Sequence, residues 1–173
     1  MKKKRIIAVL LLLVIAAIAI IIFVNAGINR VPELEVETMN ITSKDLENGK
    51  WNVRISHDKG QDLSPELTWD AVPDASCYAL YMIDPDGHSW IHMVTKTTET
   101  HLDTGAVASY KGPYPPSGVH NYIVYIFALK EDISLPGRLD SFSTGINPII
   151  SSLNGKNGNI IAQGILSGTY PDR

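Results

Sequence analysis

Residues 121–129 read Asn-Tyr-Ile-Val-Tyr-Ile-Phe-Ala-Leu. Side chains that branch at Cβ or carry a ring are restricted against a helical turn but pack well on a pleated surface. The run carries no helical punctuation, and it is apolar on both faces. It therefore predicts a strand at the centre of a sheet. Such a strand needs neighbours, and the chain supplies them. Tyr78–Ile83 is apolar throughout, as in a strand buried on both faces. Trp90–Val94 continues after a turn, and Asn159–Leu166 reads as a last strand. Leu34–Met39 and Trp51–Ser56 alternate, which suits half-buried strands. Leu63–Trp69 leads into a short strand, where Pro65 argues against a central position. One helix is marked: Asn147 suits its cap, Pro148 its first position and Gly155 the residue past its end. Many short strands separated by Gly/Pro turns predict an all-β dominated domain, a sandwich or a barrel, with one or two short helices.

The first residues follow a different logic. Lys2, Lys3, Lys4 and Arg5 precede Ile6–Val24, nineteen residues without a polar side chain. As a helix this run spans roughly 28 Å, close to a bilayer core. Cleavable signals usually have a shorter apolar region. The run is therefore expected to be an uncleaved transmembrane helix, a signal-anchor, with cleavage near Val24-Asn25-Ala26 as the alternative. Basic residues favour the cytoplasmic side, so the rest of the chain is expected outside it, or secreted if the segment is cleaved. The chain then divides into a basic start (1–5), the apolar segment (6–24), a linker (25–33) and one domain (34–173), of ordinary size for a single core.

Charge narrows the partners. Four of the 15 basic residues fall in the first five positions, and all 18 acidic residues follow residue 30. Eleven basic against eighteen acidic residues leave the outer part at about −7, which argues against nucleic acid and against electrostatic adhesion to anionic lipid. The single cysteine, Cys77, opens an apolar run and reads as a buried thiol.

Two stretches carry polar chemistry. In Asp84-Pro85-Asp86-Gly87-His88-Ser89-Trp90-Ile91-His92, a turn joins two strands. Asp84 alone reads as a turn cap. His92 is different, because strand alternation places it on one face with Trp90 and Val94, and pairing across the turn brings it near Asp84. The His88–His92 spacing suits a metal only on a helix; on a strand about 13 Å separates the side chains. His57 and His101 sit in polar loops without ligand neighbours, so no metal is expected. The second stretch, Gly112–Tyr122, brings His120 and Tyr122 to one strand face behind the stiff Pro115-Pro116 pair. Two turn-to-strand junctions, each with a histidine at its mouth, favour a shared pocket.

These residues resemble a known family. Ser64-Pro65-Glu66-Leu67-Thr68-Trp69, Asp84-Pro85-Asp86, Trp90-x-His92, Gly112-Pro113-x-Pro115-Pro116-x-Gly118-x-His120-x-Tyr122 and Gly168-Thr169-Tyr170 occur in that order. Together they look like the phosphatidylethanolamine-binding protein family, which includes Raf kinase inhibitor protein and many bacterial members, over about Leu34 to Arg173. The resemblance implies an antiparallel β-sandwich of two sheets with a small anion-binding pocket at one end. By the same resemblance the pocket residues are Asp84, Pro85, His92, His120 and Tyr122, walled by Pro115 and Pro116. Two features depart from the pattern. Only Gly87-His88-Ser89 separates Asp-Pro-Asp from Trp90, and Asn121 stands where an arginine is common. These departures weaken any inference about partners that use those features, and kinase inhibition does not carry over to a protein displayed outside a cell.

The pocket groups suit a small anion. Tyr122 and both histidines can donate hydrogen bonds, and Asp84 can hold a histidine's other N–H or meet the ammonium of a phospholipid head group. The expected function is binding of a phosphate-like or other small anionic head group, with no cofactor. A protein-interaction module, such as a protease inhibitor, is the alternative. A hydrolase using the Asp/His pair is the further one, but no nucleophile stands in a recognisable setting. Cys77 is elsewhere, and Ser117 is the only hydroxyl near His120.

Overall fold

The computed structural model describes residues 34–170. The basic start, the apolar segment and the linker lie outside the described residues, and so does the expectation of an anchor or signal. Among the described residues, no helix is long and apolar enough to cross a membrane.

Among the described residues, eleven strands and one α-helix follow one another. Four short strands come first: β1 (Glu37–Thr38), β2 (Ile41–Thr42), β3 (Leu46–Glu47) and β4 (Lys50–Trp51). Then come β5 (Leu67–Trp69), β6 (Cys77–Asp84), β7 (Trp90–Thr97), β8 (His101–Leu102), β9 (His120–Leu129) and β10 (Ser141–Phe142). Helix α1 (Ile146–Asn154) leads to the last strand, β11 (Ile160–Tyr170). The larger sheet runs β10-β7-β6-β9-β11-β4-β3, with β1 also on β11; the smaller runs β2-β5-β8. The run at 121–129 thus lies mid-sheet, bonded to β6 on one side and β11 on the other. The long pairings are antiparallel, as expected, but β1 and β4 both run parallel to β11.

The sheets enclose one apolar layer. Tyr78, Leu80 and Met82 of β6 and Tyr122, Val124 and Ile126 of β9 meet Ile41, Leu67 and Trp69 from the smaller sheet. Every residue of β6 is buried, because strands flank it and both faces are covered. Its other face is closed by the segment around Gly137, which lies against Ile91, Tyr81 and Ile149 of α1, and the Tyr81 hydroxyl donates to the Pro136 carbonyl at 2.9 Å. Ile146, Ile149, Ile150 and Leu153 form the buried stripe of α1, at a spacing that suits one helical face. Cys77 is buried and free, as expected.

Several local expectations change. Leu34–Met39 forms only the two residues of β1, because the chain crosses from one sheet to the other by Ile41. Trp51–Ser56 is not a strand. After Trp51, Asn52 accepts the Arg54 N–H at 3.0 Å, and Ser56 N–H donates to the Val53 carbonyl at 2.9 Å, making a 3-10 turn over Val53–Ile55. Alternation could not tell this turn from a strand, since Trp51 and Ile55 are buried either way. β5 is the central strand of its sheet, and Pro65 simply precedes it. The helix is capped by Gly145 rather than Asn147, which places Pro148 in the first turn, where no N–H is needed. His101 begins β8 instead of lying in a loop, and its Nε2 contacts Asp103 at 3.1 Å.

Candidate functional site

The turn after β6 is built around Asp84. Its Oδ1 accepts the Gly87 N–H at 2.7 Å, and a Cβ on Gly87 would stand 2.6 Å from Oδ2, so a side chain there would have to displace the carboxylate. His88 and Ser89 follow at φ 58° and 55°, a left-handed conformation that side-chain-bearing residues seldom take. Ser143 holds the turn from outside, its N–H and hydroxyl both on the Ser89 carbonyl at 3.1 and 2.9 Å. Asp86 ties the turn to β9 by accepting from the Asn121 N–H at 2.8 Å and its amide at 3.1 Å. Asp84 is therefore a turn cap and a site residue at once. Its second oxygen, Oδ2, lies 2.7 Å from His120 Nδ1.

The partner of Asp84 is thus His120, across β9, rather than His92. In the β6–β7 ladder Asp84 faces Trp90, Ile83 faces Ile91 and Met82 faces Met93. One residue on β6 is matched by two on β7, and His92 is the one in excess: a β-bulge. A bulge re-aims the side chain it carries. Val94 lies opposite Tyr81, whose face is the one away from the inter-sheet core, so it does not share a face with His92 as alternation implied. The His92 ring instead packs edge-on against Tyr122 at 5.1 Å. Its Nδ1 is 2.7 Å from the Lys111 carbonyl, so Nδ1 carries the proton and Nε2 is left for a ligand. Burial pushes the His92 imidazole below its ordinary pKa, against the Lys111 and Gly112 carbonyls and the charges of Asp84 and Asp140, which favour the charged ring.

Tyr122 lies behind both histidines, fully buried, and stacks near His120 at 6.4 Å. Its hydroxyl neighbours the Asp84 carboxylate and the Tyr114 backbone, yet neither meets it in hydrogen-bonding geometry, and it has no partner within the protein. Burial, then the Asp84 charge, drives its pKa far above the phenol range.

A cavity of about 390 Å³ opens beside these groups. Asp84, Gly87, His88, Trp90 and His92 line it from β6, the turn and β7. Gly112, Tyr114 and Pro116 of the second stretch line it together with the preceding Lys111, as do Asp140 from the loop into β10 and Phe142 from β10 itself. Of the residues expected to form the pocket, Asp84, His92 and Pro116 line the cavity. His120 stands behind Asp84 and Tyr122 behind the histidines. Pro85 and Pro115 are not lining residues, and neither is Ser117. The second stretch is fixed by backbone contact: a Cβ on Gly112 would lie 2.0 Å from the Ile55 carbonyl. Asp62 accepts the Gly112 N–H at 2.7 Å and pairs with His57, whose ring meets Tyr114 edge-on. Among the described residues, no group of three or more His, Cys, Asp or Glu side chains is placed to hold a metal. Lys111, Asp140 and Phe142 carry no sequence signal for the site. Lys111 adjoins the second stretch without belonging to it, and Asp140 and Phe142 arrive from a segment that only the tertiary fold brings to β7.

The site's order along the chain and its fold can be set against known proteins. The family profile for phosphatidylethanolamine-binding protein matches residues 40–171. The chain belongs to the phosphatidylethanolamine-binding protein family. It is 36% identical over 103 residues to a UPF0098 protein of Methanothermobacter thermautotrophicus, covering 45% of this chain and 68% of that one. A UPF0098 protein of Aquifex aeolicus is 27% identical over 159 residues, covering 76% and 88%. Among solved structures, E. coli YbcL, described as a member of the mammalian PEBP family, superposes with a TM-score of 0.62 at 21% identity, over 78% of this chain and 99% of its own. A putative phosphatidylethanolamine-binding protein homologue of Chlamydia trachomatis gives 0.59 at 24%, over 79% and 99%. These two likenesses are of fold. In this family member, the β6–β9 pairing of the larger sheet brings together turn-to-strand junctions that lie 36 residues apart at Asp84 and His120.

Proposed function

We propose that this protein binds a small anionic group, a phosphate-like or carboxylate head, in the cavity beside Asp84, His92 and His120. The observation that carries the reading is shared by the two histidines. Each has Nδ1 engaged by a protein oxygen, Asp84 Oδ2 at 2.7 Å for His120 and the Lys111 carbonyl at 2.7 Å for His92. His92 lines the cavity and so keeps Nε2 for a ligand, where a protonated ring donates to an anion, while His120 stands outside the lining and holds Asp84 in place. Asp84 orients His120 instead of meeting the anion. The Tyr122 hydroxyl, unpartnered behind the rings, is a donor within reach of any rearrangement that opens its position. The domain is placed outside the cytoplasm by the apolar segment 6–24, acting as an anchor.

The binding reading is tested by titrating the full chain with inorganic phosphate, phosphoethanolamine and acetate while following the histidine ring signals by NMR. Shifts at His92 and His120 at millimolar ligand are expected. If those rings stay still while other residues respond, the site is elsewhere. Placement is tested by protease shaving of intact cells, which should release a fragment beginning near residues 25–33. Recovery of the full-length chain in a detergent-free cytosolic fraction would refute it.

A further inference from the structure

The outer edge of β7 receives two separate segments, and they meet at the bulge. From one side, β10 pairs with Trp90 and Ile91, and the Asp140 N–H donates to the Ile91 carbonyl at 3.0 Å. From the other side, Tyr110 bridges to Met93, and the Lys111 N–H donates to the His92 carbonyl at 2.8 Å. Lys111 is thus tied to His92 twice, since its own carbonyl accepts from His92 Nδ1. The backbones of Lys111 and Asp140 are pinned on neighbouring residues of one strand. Their side chains both line the cavity, and Lys111 Nζ lies 3.2 Å from Asp140 Oδ2. The two side chains are 37% and 45% exposed, so the pair is in contact with solvent and weak. Asp140 also holds a left-handed backbone, φ 58°, which the Ile91 hydrogen bond maintains.

This arrangement matters for an anion. The cavity wall already carries the Asp84 carboxylate, and Asp140 adds a second. With Lys111 turned to Asp140, the most strongly cationic side chain of the wall is already occupied when an anion enters. A lysine side chain has several freely rotating bonds on a fixed base, so Nζ can leave Asp140 without disturbing the backbone that orients His92. Resting on the anion-binding reading above, we propose that Lys111 is an anion-holding residue of this cavity and that Asp140 is its built-in competitor. The ligand's negative group takes the place of the Asp140 carboxylate on Lys111 Nζ, while His92 holds another of its oxygens. Asp140 sets a threshold: groups that offer the ammonium no more than a carboxylate does, such as acetate, gain little, and a phosphate monoester, with more charge and more acceptor oxygens, displaces it.

The test titrates inorganic phosphate and acetate into the full chain and into Lys111→Gln, Lys111→Arg, Asp140→Asn and the Lys111→Gln/Asp140→Asn double variant, reading affinity from the His92 and His120 ring signals. Lys111→Gln is expected to weaken phosphate binding roughly tenfold, the scale of a lost charged hydrogen bond. Lys111→Arg should retain most of it. Asp140→Asn should tighten binding roughly twofold to fivefold, the range set by an exposed ion pair, and tighten acetate at least as much. In the double variant the Asp140→Asn gain should disappear, because its target is gone. The inference is overturned if the histidine signals report phosphate binding in the natural chain and Lys111→Gln and Asp140→Asn titrate like it. It is also overturned if the Asp140→Asn gain survives intact in the Lys111→Gln background, which would make Asp140 a distant repulsive charge only. Histidine signals that move in no variant overturn the anion-binding reading itself, and this inference with it. Thermal midpoints of the variants within a few degrees of the natural chain confirm that each is folded.

Discussion

Asp84 and His120 are joined by a 2.7 Å contact between Oδ2 and Nδ1, at side-chain exposures of 6% and 12%. The same carboxylate caps the Gly87 turn with its other oxygen, so one residue links the shape of the turn to the orientation of the histidine. Replacing His120 with Ala leaves Oδ2 nearly buried without a donor. The expected cost is about 1–3 kcal/mol of folding stability, and a loss of phosphate affinity of the same order. Urea unfolding and the NMR titration report the two effects separately. If both are unchanged, the pair has neither role.

His92 makes stability depend on pH. Burial holds its folded pKa below the ordinary value of about 6.5 that it regains on unfolding. Between those two values the unfolded chain binds a proton that the fold does not, so stability rises with pH there. Lowering the pH from about 6.5 therefore weakens the fold until the folded value is passed. Anion binding runs the other way. A bound anion favours the charged ring, so affinity rises as pH falls and is lost as pH climbs from the free-state value. His92→Asn keeps an amide donor toward the Lys111 carbonyl and removes the titration. Its urea midpoint should be flatter than that of the natural chain between pH 7.5 and 5; parallel curves would rule His92 out as the source.

Tyr122 carries a fully buried hydroxyl without a partner. Such a group costs roughly 1–3 kcal/mol relative to a satisfied one. Tyr122→Phe keeps the ring under the histidines and removes the orphan. Stability should rise by about 1 kcal/mol, a shift of about 2–4 °C in Tm for a domain of this size. A drop of that size would mean that the hydroxyl is satisfied in solution.

Asp45 supports the 3-10 turn that backs the site. Burial works against its charge, but Arg54 Nε, the Glu66 N–H at 2.7 Å and the Thr104 hydroxyl at 3.0 Å outweigh it and hold the carboxyl below its ordinary 3.8. That stability is present above the unfolded value and is lost as pH falls through the lower folded one. Asp45→Ala orphans a buried N–H and should cost about 1–3 kcal/mol at neutral pH. Unfolding at pH 7 and at pH 3 should show the gap between variant and natural chain closing at the acid end.

The most legible parts of the fold are its continuous apolar runs. β6 and β9 are apolar on both faces, so no partner had to be known to recognise them. Alternation misled where one apolar pattern served two geometries, as at Trp51 and Ile55, which a 3-10 turn buries as well as a strand does. At the site, Asp84 stood out because Pro85 and Gly87 force a turn there. The aim of His92 did not, because a bulge leaves no trace in alternation, which puts Val94 on the same face. Lys111 and Asp140 lie 29 residues apart, and only the shared edge of β7 relates them.

The bulge also separates scaffold from site. Met82 faces Met93 and Ile83 faces Ile91 on either side of His92. A chain missing that single residue would leave those pairs in step, and the two strands would zip without interruption. His92 is thus an insertion into a ladder already complete. The sheet can tolerate changes at this position that the cavity cannot, and a relative could lose the pocket chemistry by deleting one codon while its core stays in register.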